Sequence, residues 1–161
     1  MLKKLCIIVV ALSALLAGVW VANYNRSDFT TLSGEKGQWS DGQGQWLVIN
    51  YFAEWCAPCL KEIPQLNQFN QQTADSDVRL IAISWDNLGQ TELQQIADKY
   101  AMEFELAYQV NPDNLPFVKP AQLPATFILS PQGKVVKKLL GEQTAELLTQ
   151  HIEQLKVKYP H

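Results

Sequence analysis

The stretch Trp46-Leu-Val-Ile-Asn-Tyr-Phe-Ala-Glu-Trp-Cys-Ala-Pro-Cys-Leu60 decides the reading of this chain. Its first seven residues form a nearly continuous apolar run, as a strand buried on both faces requires. After Cys56 the spacing of apolar residues turns helical. Two cysteines separated by two residues at such a junction can close a small disulfide ring and reopen it by thiol exchange. The first sulfur lies near the positive end of a helix, which favours its thiolate. The second stays within reach of any mixed disulfide that the first one makes. Cys56 therefore reads as the nucleophile and Cys59 as the resolving thiol of a redox pair. Helix-end activation gains only ~3-fold in rate once the lost nucleophilicity is counted, so its larger effect is on redox balance. Pro58 suits the first helical turn, where its missing N–H would be unpaired anyway.

Other uses of the spacing fail for want of partners. A structural zinc wants four ligands, and only Cys6, His151 and His161 remain, far apart in the chain. Covalent haem attachment wants His after the second cysteine, where Leu60 stands. No metal or other cofactor is expected.

The N-terminus reads as a membrane signal. Lys3 and Lys4 precede an uncharged run from Leu5 to Ala22, and the next charge is Arg26. As a helix the run would span ~27 Å, close to a ~30 Å hydrocarbon core and long for a signal peptide. No good small-x-small cleavage site closes it. An uncleaved anchor over residues 1–24 is favoured, with the lysines cytoplasmic and Trp20 and Tyr24 in the outer interface. Residues 25–161 then form one domain of about 135 residues, enough for a real core. The chain has 13 Lys and Arg against 16 Asp and Glu and no basic stripe, which argues against nucleic acid as a partner. Export across the inner membrane would place the cysteines where disulfides persist, in the periplasm or another extracytoplasmic space.

Strand-like runs occur at Phe29–Leu32, Trp46–Phe52, Val78–Trp85, Phe104–Gln109, Ala125–Ser130 and Lys134–Leu139. Helical patterns run from Ala57 to about Gln71, Thr91 to Ala101 and Thr144 to Lys156, and Gly34 to Gln45 reads as a Gly/Gln-rich turn. Ser130-Pro-Gln-Gly133 reads as a hairpin turn. The expected fold is α/β, with a mixed central sheet, helices on both faces and an extra N-terminal strand or hairpin.

This order, with Trp-Cys-x-x-Cys after the first long buried strand, resembles the thioredoxin fold. Two details are similar to the membrane-tethered thioredoxin-like family that includes TlpA, ResA and the cytochrome c maturation reductases. One is Cys59-Leu-Lys-Glu62-Ile-Pro64; the other is Leu123-Pro124-Ala-Thr-Phe-Ile128, with Gly133 soon after. Two features depart from that pattern: Ser130 stands where Asp is common, and Asn111 to Gln122 is long and holds three prolines.

The resemblance implies that Cys56 is the exposed sulfur and that Trp55 covers the pair, although a core aromatic is an equal reading of Trp55. It implies a cis Pro124 facing the cysteines, leaving the backbone at Leu123 free to pair with a client segment. Thioredoxin has a buried Asp six residues before its first cysteine; here that position is Asn50. Glu62 is then the candidate to take the proton from Cys59, unless it is merely an exposed acid near a helix start. Trp85, Asp86 and Tyr108 read simply as strand-end residues. The resemblance implies a protein-disulfide reductase, re-reduced by a membrane electron donor, with apocytochrome c among its possible clients. The rivals are a disulfide oxidase or isomerase, and a client-binding domain with little turnover. A peroxidase would want Thr or Ser shortly before the reactive cysteine, where Ala53 and Glu54 stand.

Overall fold

Seven consecutive buried residues make one strand, Trp46–Phe52, in the interior of the sheet. In the computed structural model, residues 12–16, 18, 27–39 and 44–159 are described. The elements are β1 (Phe29–Thr31), β2 (Lys36–Gly37), β3 (Trp46–Phe52), α1 (Ala57–Thr73), β4 (Val78–Ser84), α2 (Gln90–Lys99), β5 (Glu105–Val110), β6 (Ala125–Leu129), β7 (Val135–Leu140) and α3 (Ala145–Lys158). Most of the expected anchor lies outside the described residues, among which no helix is long and apolar enough to cross a membrane.

The sheet has seven strands in the order β2-β1-β5-β4-β3-β6-β7. β3, β4 and β5 run parallel, while β6 lies antiparallel to β3 and β7 to β6. This is the mixed thioredoxin-type sheet flanked by helices that the sequence leads one to expect. Of the expected N-terminal strand or hairpin it is the hairpin that forms: Lys36 and Gly37, within the expected turn, pair with Thr30 and Phe29 as β2. Gly133 supplies the left-handed residue of the β6–β7 turn, with φ 71° and an N–H···O bond of 2.8 Å to Ser130.

Alternation along the central strands sorts two cores. Trp46, Val48 and Phe52 face Ile63, Leu66 and Phe69 of α1, Leu93 and Ile96 of α2, and Leu148 and Ile152 of α3. Leu47, Ile49 and Tyr51 face the other way, with Ile81, Ile83, Phe127 and Leu129. The helices α1, α2 and α3 thus pack on one face, whereas the sequence reading places helices on both. The reason lies in the connections: β3-α1-β4 and β4-α2-β5 both advance in the same direction along the sheet, and right-handed crossovers then put both helices on one side. The second face is covered by Trp39, just past β2, and by the strap from Asn111 to Leu123. Pro112–Asn114 is only a single 3₁₀ turn of this strap. Phe117 stacks on Phe127 at 4.1 Å and meets Tyr51 edge-on at 6.0 Å.

Pro64 lies within α1, which continues to Thr73. Polar side chains on α1 do more than face water: Asn67 and Asn70 donate to the Ala101 and Glu103 carbonyls at 2.8 Å each, tying α1 to the turn after α2.

Gly37 sits over the Phe29 ring, where an added Cβ would lie 2.2 Å from Phe29 Cζ. That ring is 2 % exposed and rests on Trp39 at 4.5 Å, so it has little room to withdraw. Gly37→Ala should therefore destabilise the domain by ~1–3 kcal/mol, as overpacking does. Urea unfolding would measure this, and a midpoint equal to the parent's would show that the hairpin yields freely.

Candidate active site

The chemistry gathers where β3 hands over to α1. Cys56 is the helix N-cap, with extended backbone (φ −92°, ψ 92°), and its carbonyl accepts the first helical bond from Leu60 N at 3.1 Å. Its Sγ accepts from the Cys59 N–H at 3.3 Å. This is how a helix start favours a thiolate: an otherwise unpaired backbone donor points at the sulfur. Pro58 lies in the first turn, exposed, and withholds no bond the helix needs.

The two cysteines are joined as a disulfide, with Cα atoms 5.3 Å apart. Cys56 is 6 % exposed and Cys59 2 %, so in this state neither sulfur is the open one expected of Cys56. The ring closure folds Cys56 Sγ back over the helix start.

Glu62 follows Cys59 by three residues, so the two side chains neighbour one another on α1. It is 1 % exposed, which excludes the reading as a solvated helix-end acid. Its Oε1 accepts from the Gln143 N–H at 2.8 Å, and its Oε2 from Asn50 Nδ2 at 3.2 Å. Burial pushes its carboxyl up to about 7 from the ordinary 4.5; the Gln143 and Asn50 donors pull it down, and the charge of nearby Glu142 adds a small push upward. A buried carboxyl at that value is half ionised near neutral pH, as an acid–base group should be.

Asn50 therefore does more than mark the absence of an acid. It pairs with Thr126 across β3 and β6 and donates to the Thr126 hydroxyl at 3.2 Å, placing an amide beneath Glu62. Gln143 and Thr126 escaped the sequence reading. Thr126 was within reach of it, because a polar residue in an otherwise apolar strand wants a partner; the Gln143 backbone donor leaves no signature in its side chain.

Trp55 is 66 % exposed, which rules out the core aromatic. Its indole N–H donates to Asp86 Oδ2 at 2.8 Å, and its ring meets Trp85 edge-on at 5.9 Å. Trp85 and Asp86 are thus part of the site's surroundings rather than plain strand ends. The Leu123–Pro124 peptide is cis, with Leu123 half-buried and Pro124 buried at the head of β6. Among the described residues no three His, Cys, Asp or Glu side chains gather as metal ligands would.

Known proteins are similar to this chain in sequence and in fold. Thiol-disulfide oxidoreductase ResA of Bacillus cereus is 29 % identical over 126 residues, covering 78 % of this chain and 72 % of that protein. The ResA of Bacillus subtilis is 25 % identical over 126 residues, covering 77 % and 69 %. Among solved structures, StoA from Bacillus subtilis superposes with a TM-score of 0.63 at 23 % identity, over 76 % of this chain and 92 % of that one. The exposed lipoprotein thioredoxin Etrx1 of Streptococcus pneumoniae gives 0.67 at 15 %, over 78 % and 96 %. These two establish the fold. Residues 24–138 match the AhpC/TSA family, and the chain belongs to that family.

Proposed function

We propose that the protein is a membrane-anchored, extracytoplasmic thiol–disulfide oxidoreductase that reduces disulfides of client proteins. The observation that carries the exchange chemistry is a buried carboxyl, Glu62, placed one helical turn past the buried Cys59 and poised near neutrality. The names of the ResA relatives support the same chemistry.

In the forward direction the Cys56 thiolate attacks a client disulfide. One client sulfur leaves as thiolate, and the other is held in a mixed disulfide on Cys56. Cys59 gives its proton to Glu62, and the resulting thiolate attacks Cys56 Sγ. The second client thiolate leaves, and two electrons have passed from the protein to the client. The Cys56–Cys59 disulfide seen here is the end state, and a membrane electron donor restores the dithiol. Trp55, Pro58, Leu123 and Pro124 border the groove that receives the client, and no nucleic acid takes part. A thiol buried in an apolar site needs an internal base, because water cannot supply one there. Reversed, the same carboxyl serves an oxidase, so the direction rests on the family resemblance and on the anchor predicted for residues 1–24, which would hold the domain at the inner membrane beside its donor. Apocytochrome c is one client that fits. Capture by Cys59→Ala, which cannot resolve the Cys56 mixed disulfide, followed by identification of the bound protein, tests the client.

In the reduced protein Cys56 should alkylate with iodoacetamide well ahead of Cys59, because its sulfur faces the Cys59 N–H at the helix start. Mass-mapped labelling that finds Cys59 first would reverse the two roles.

Glu62→Gln should slow resolution of the mixed disulfide between about pH 6 and 8, the range over which the carboxyl becomes a base. It should also change the pH dependence of stability. The folded carboxyl sits at about 7 against 4.5 ordinarily, so the native state binds the proton more tightly. That contribution is full below the unfolded value and is lost as pH rises through the folded one, ~3 kcal/mol in all. The parent should melt higher at pH 5 than at pH 8, and Glu62→Gln should flatten the difference. Identical melting profiles would show that the carboxyl is not so held.

In growing cells the pair should be mostly dithiol, with a potential nearer −270 mV than −120 mV, a gap of ~7 kcal/mol for two electrons. Acid quenching and alkylation read the first quantity, and equilibration with glutathione the second. A mostly oxidised pair with the donor pathway intact would reverse the electron flow.

A further inference from the structure

Trp85 links Trp55, next to Cys56, to the strap that runs into Leu123 and Pro124. Its backbone N–H donates to the Phe52 carbonyl at 2.7 Å, fixing it beside the end of β3, four residues before Cys56. On one side its ring supports Trp55, as described above. On the other it holds the strap by three contacts: Trp85 Nε1 donates to the Pro120 carbonyl at 3.0 Å, Lys119 Nζ donates to the Trp85 carbonyl at 2.6 Å, and the same ammonium lies 3.9 Å from the Trp85 ring centroid. The next residues after this clamp are Ala121, Gln122, Leu123 and Pro124.

Packing alone does not fix the strap here. Between Tyr51, Trp85, Tyr108, Leu115 and Lys119 lies a cleft of about 140 Å³, so the chain around Lys119 bridges open space rather than a filled core. The first part of the strap is held by Asp28, which takes the Asn111 N–H at 2.8 Å and the Asn114 amide at 2.7 Å, and its middle by Phe117 on Phe127 and Tyr51. Past Phe117, Lys119 and Pro120 hold the part of the strap that runs into Leu123 and Pro124. The contacts are of the stronger kinds, a hydrogen bond from a charged donor and a cation on an aromatic face.

We infer that Trp85 and Lys119 are positioning residues for client binding: their clamp sets the spacing between the Trp55–Cys56 wall and the Leu123–Pro124 wall, and so favours extended polypeptide over small disulfides. The inference rests on the thiol–disulfide exchange reading above. A small disulfide needs only the sulfur. A polypeptide touches both walls at once, and gains affinity only if they are already correctly spaced.

Two probes with the same leaving group test this in the reduced full-length chain. One is 5,5′-dithiobis(2-nitrobenzoate); the other is a short unstructured peptide whose single cysteine carries thionitrobenzoate. In each case the Cys56 thiolate displaces thionitrobenzoate, which is read by its absorbance. Lys119→Met keeps the apolar stem and removes the charge, while Trp85→Phe keeps a ring and removes the donor to Pro120. Each should raise the half-saturating peptide concentration about 10-fold relative to the parent, equivalent to ~1.4 kcal/mol, and lower the peptide-to-small-disulfide rate ratio by a similar factor. Lys119→Arg, whose guanidinium also stacks on aromatic faces, should bring the ratio back toward the parent's. A merely structural role would slow both probes together. Variants with the parental ratio, or with both rates reduced equally, overturn the clamp's role. A parent that releases thionitrobenzoate from neither probe would instead overturn the exchange reading, and the clamp's role with it.

Discussion

A carboxylate carried into an apolar core is costly unless donors meet it, and the arrangement of the helix face follows from how Glu62 is met. One of its oxygens takes a backbone N–H from Gln143, in the turn that launches α3. The other takes the amide of Asn50, which also reaches Thr126 on β6. One polar cluster thereby fixes α1, β3, β6 and the start of α3 relative to each other. Gln65 repeats the theme a turn later, its side-chain oxygen accepting from the Ala145 N–H at 3.1 Å. The cluster is only partly compensated, since two donors do not cancel the burial, and that deficit keeps the carboxyl near neutrality instead of at its ordinary value. Its cost to stability and its fitness as a proton acceptor have the same origin.

The parts of the fold legible in the sequence were those carried by local pattern. Continuous apolarity marked β3 and β4, helical spacing marked α1 to α3, and Ser130-Pro-Gln-Gly marked the β6–β7 turn; each matched within a few residues. The distribution of helices between the faces was not legible, because it depends on which neighbour each strand chooses. β5 joins the β4 edge and β6 the far side of β3, and no residue records that choice. At the site, the cysteine pair, Glu62 and the cis Leu123–Pro124 bond could be named in advance from motif and resemblance. The roles of Asn50, Trp85 and Lys119 could not, because each depends on contacts spanning 12 to 76 residues of sequence.

The strap changes what kind of surface the second face presents. A helix there would bring its own backbone bonds and a continuous apolar stripe. The segment from Asn111 to Leu123 has one 3₁₀ turn and three prolines, and holds on by aromatic stacking and by side-chain-to-backbone bonds. Proline limits how far such a segment can wander when unbound, so less ordering entropy is lost on docking. Its position can therefore be tuned by single side chains without disturbing the helical core.

The two edges of the sheet bear on a hazard that every open sheet carries. β2 has only two residues, and β7 carries Lys137 and Lys138 side by side. A two-residue edge gives an incoming chain almost nothing to pair with, and adjacent lysines make a poor template for another strand. Neither end of the sheet invites a non-native polypeptide to extend it. Self-association into mixed sheets is thereby disfavoured, even at high local concentration.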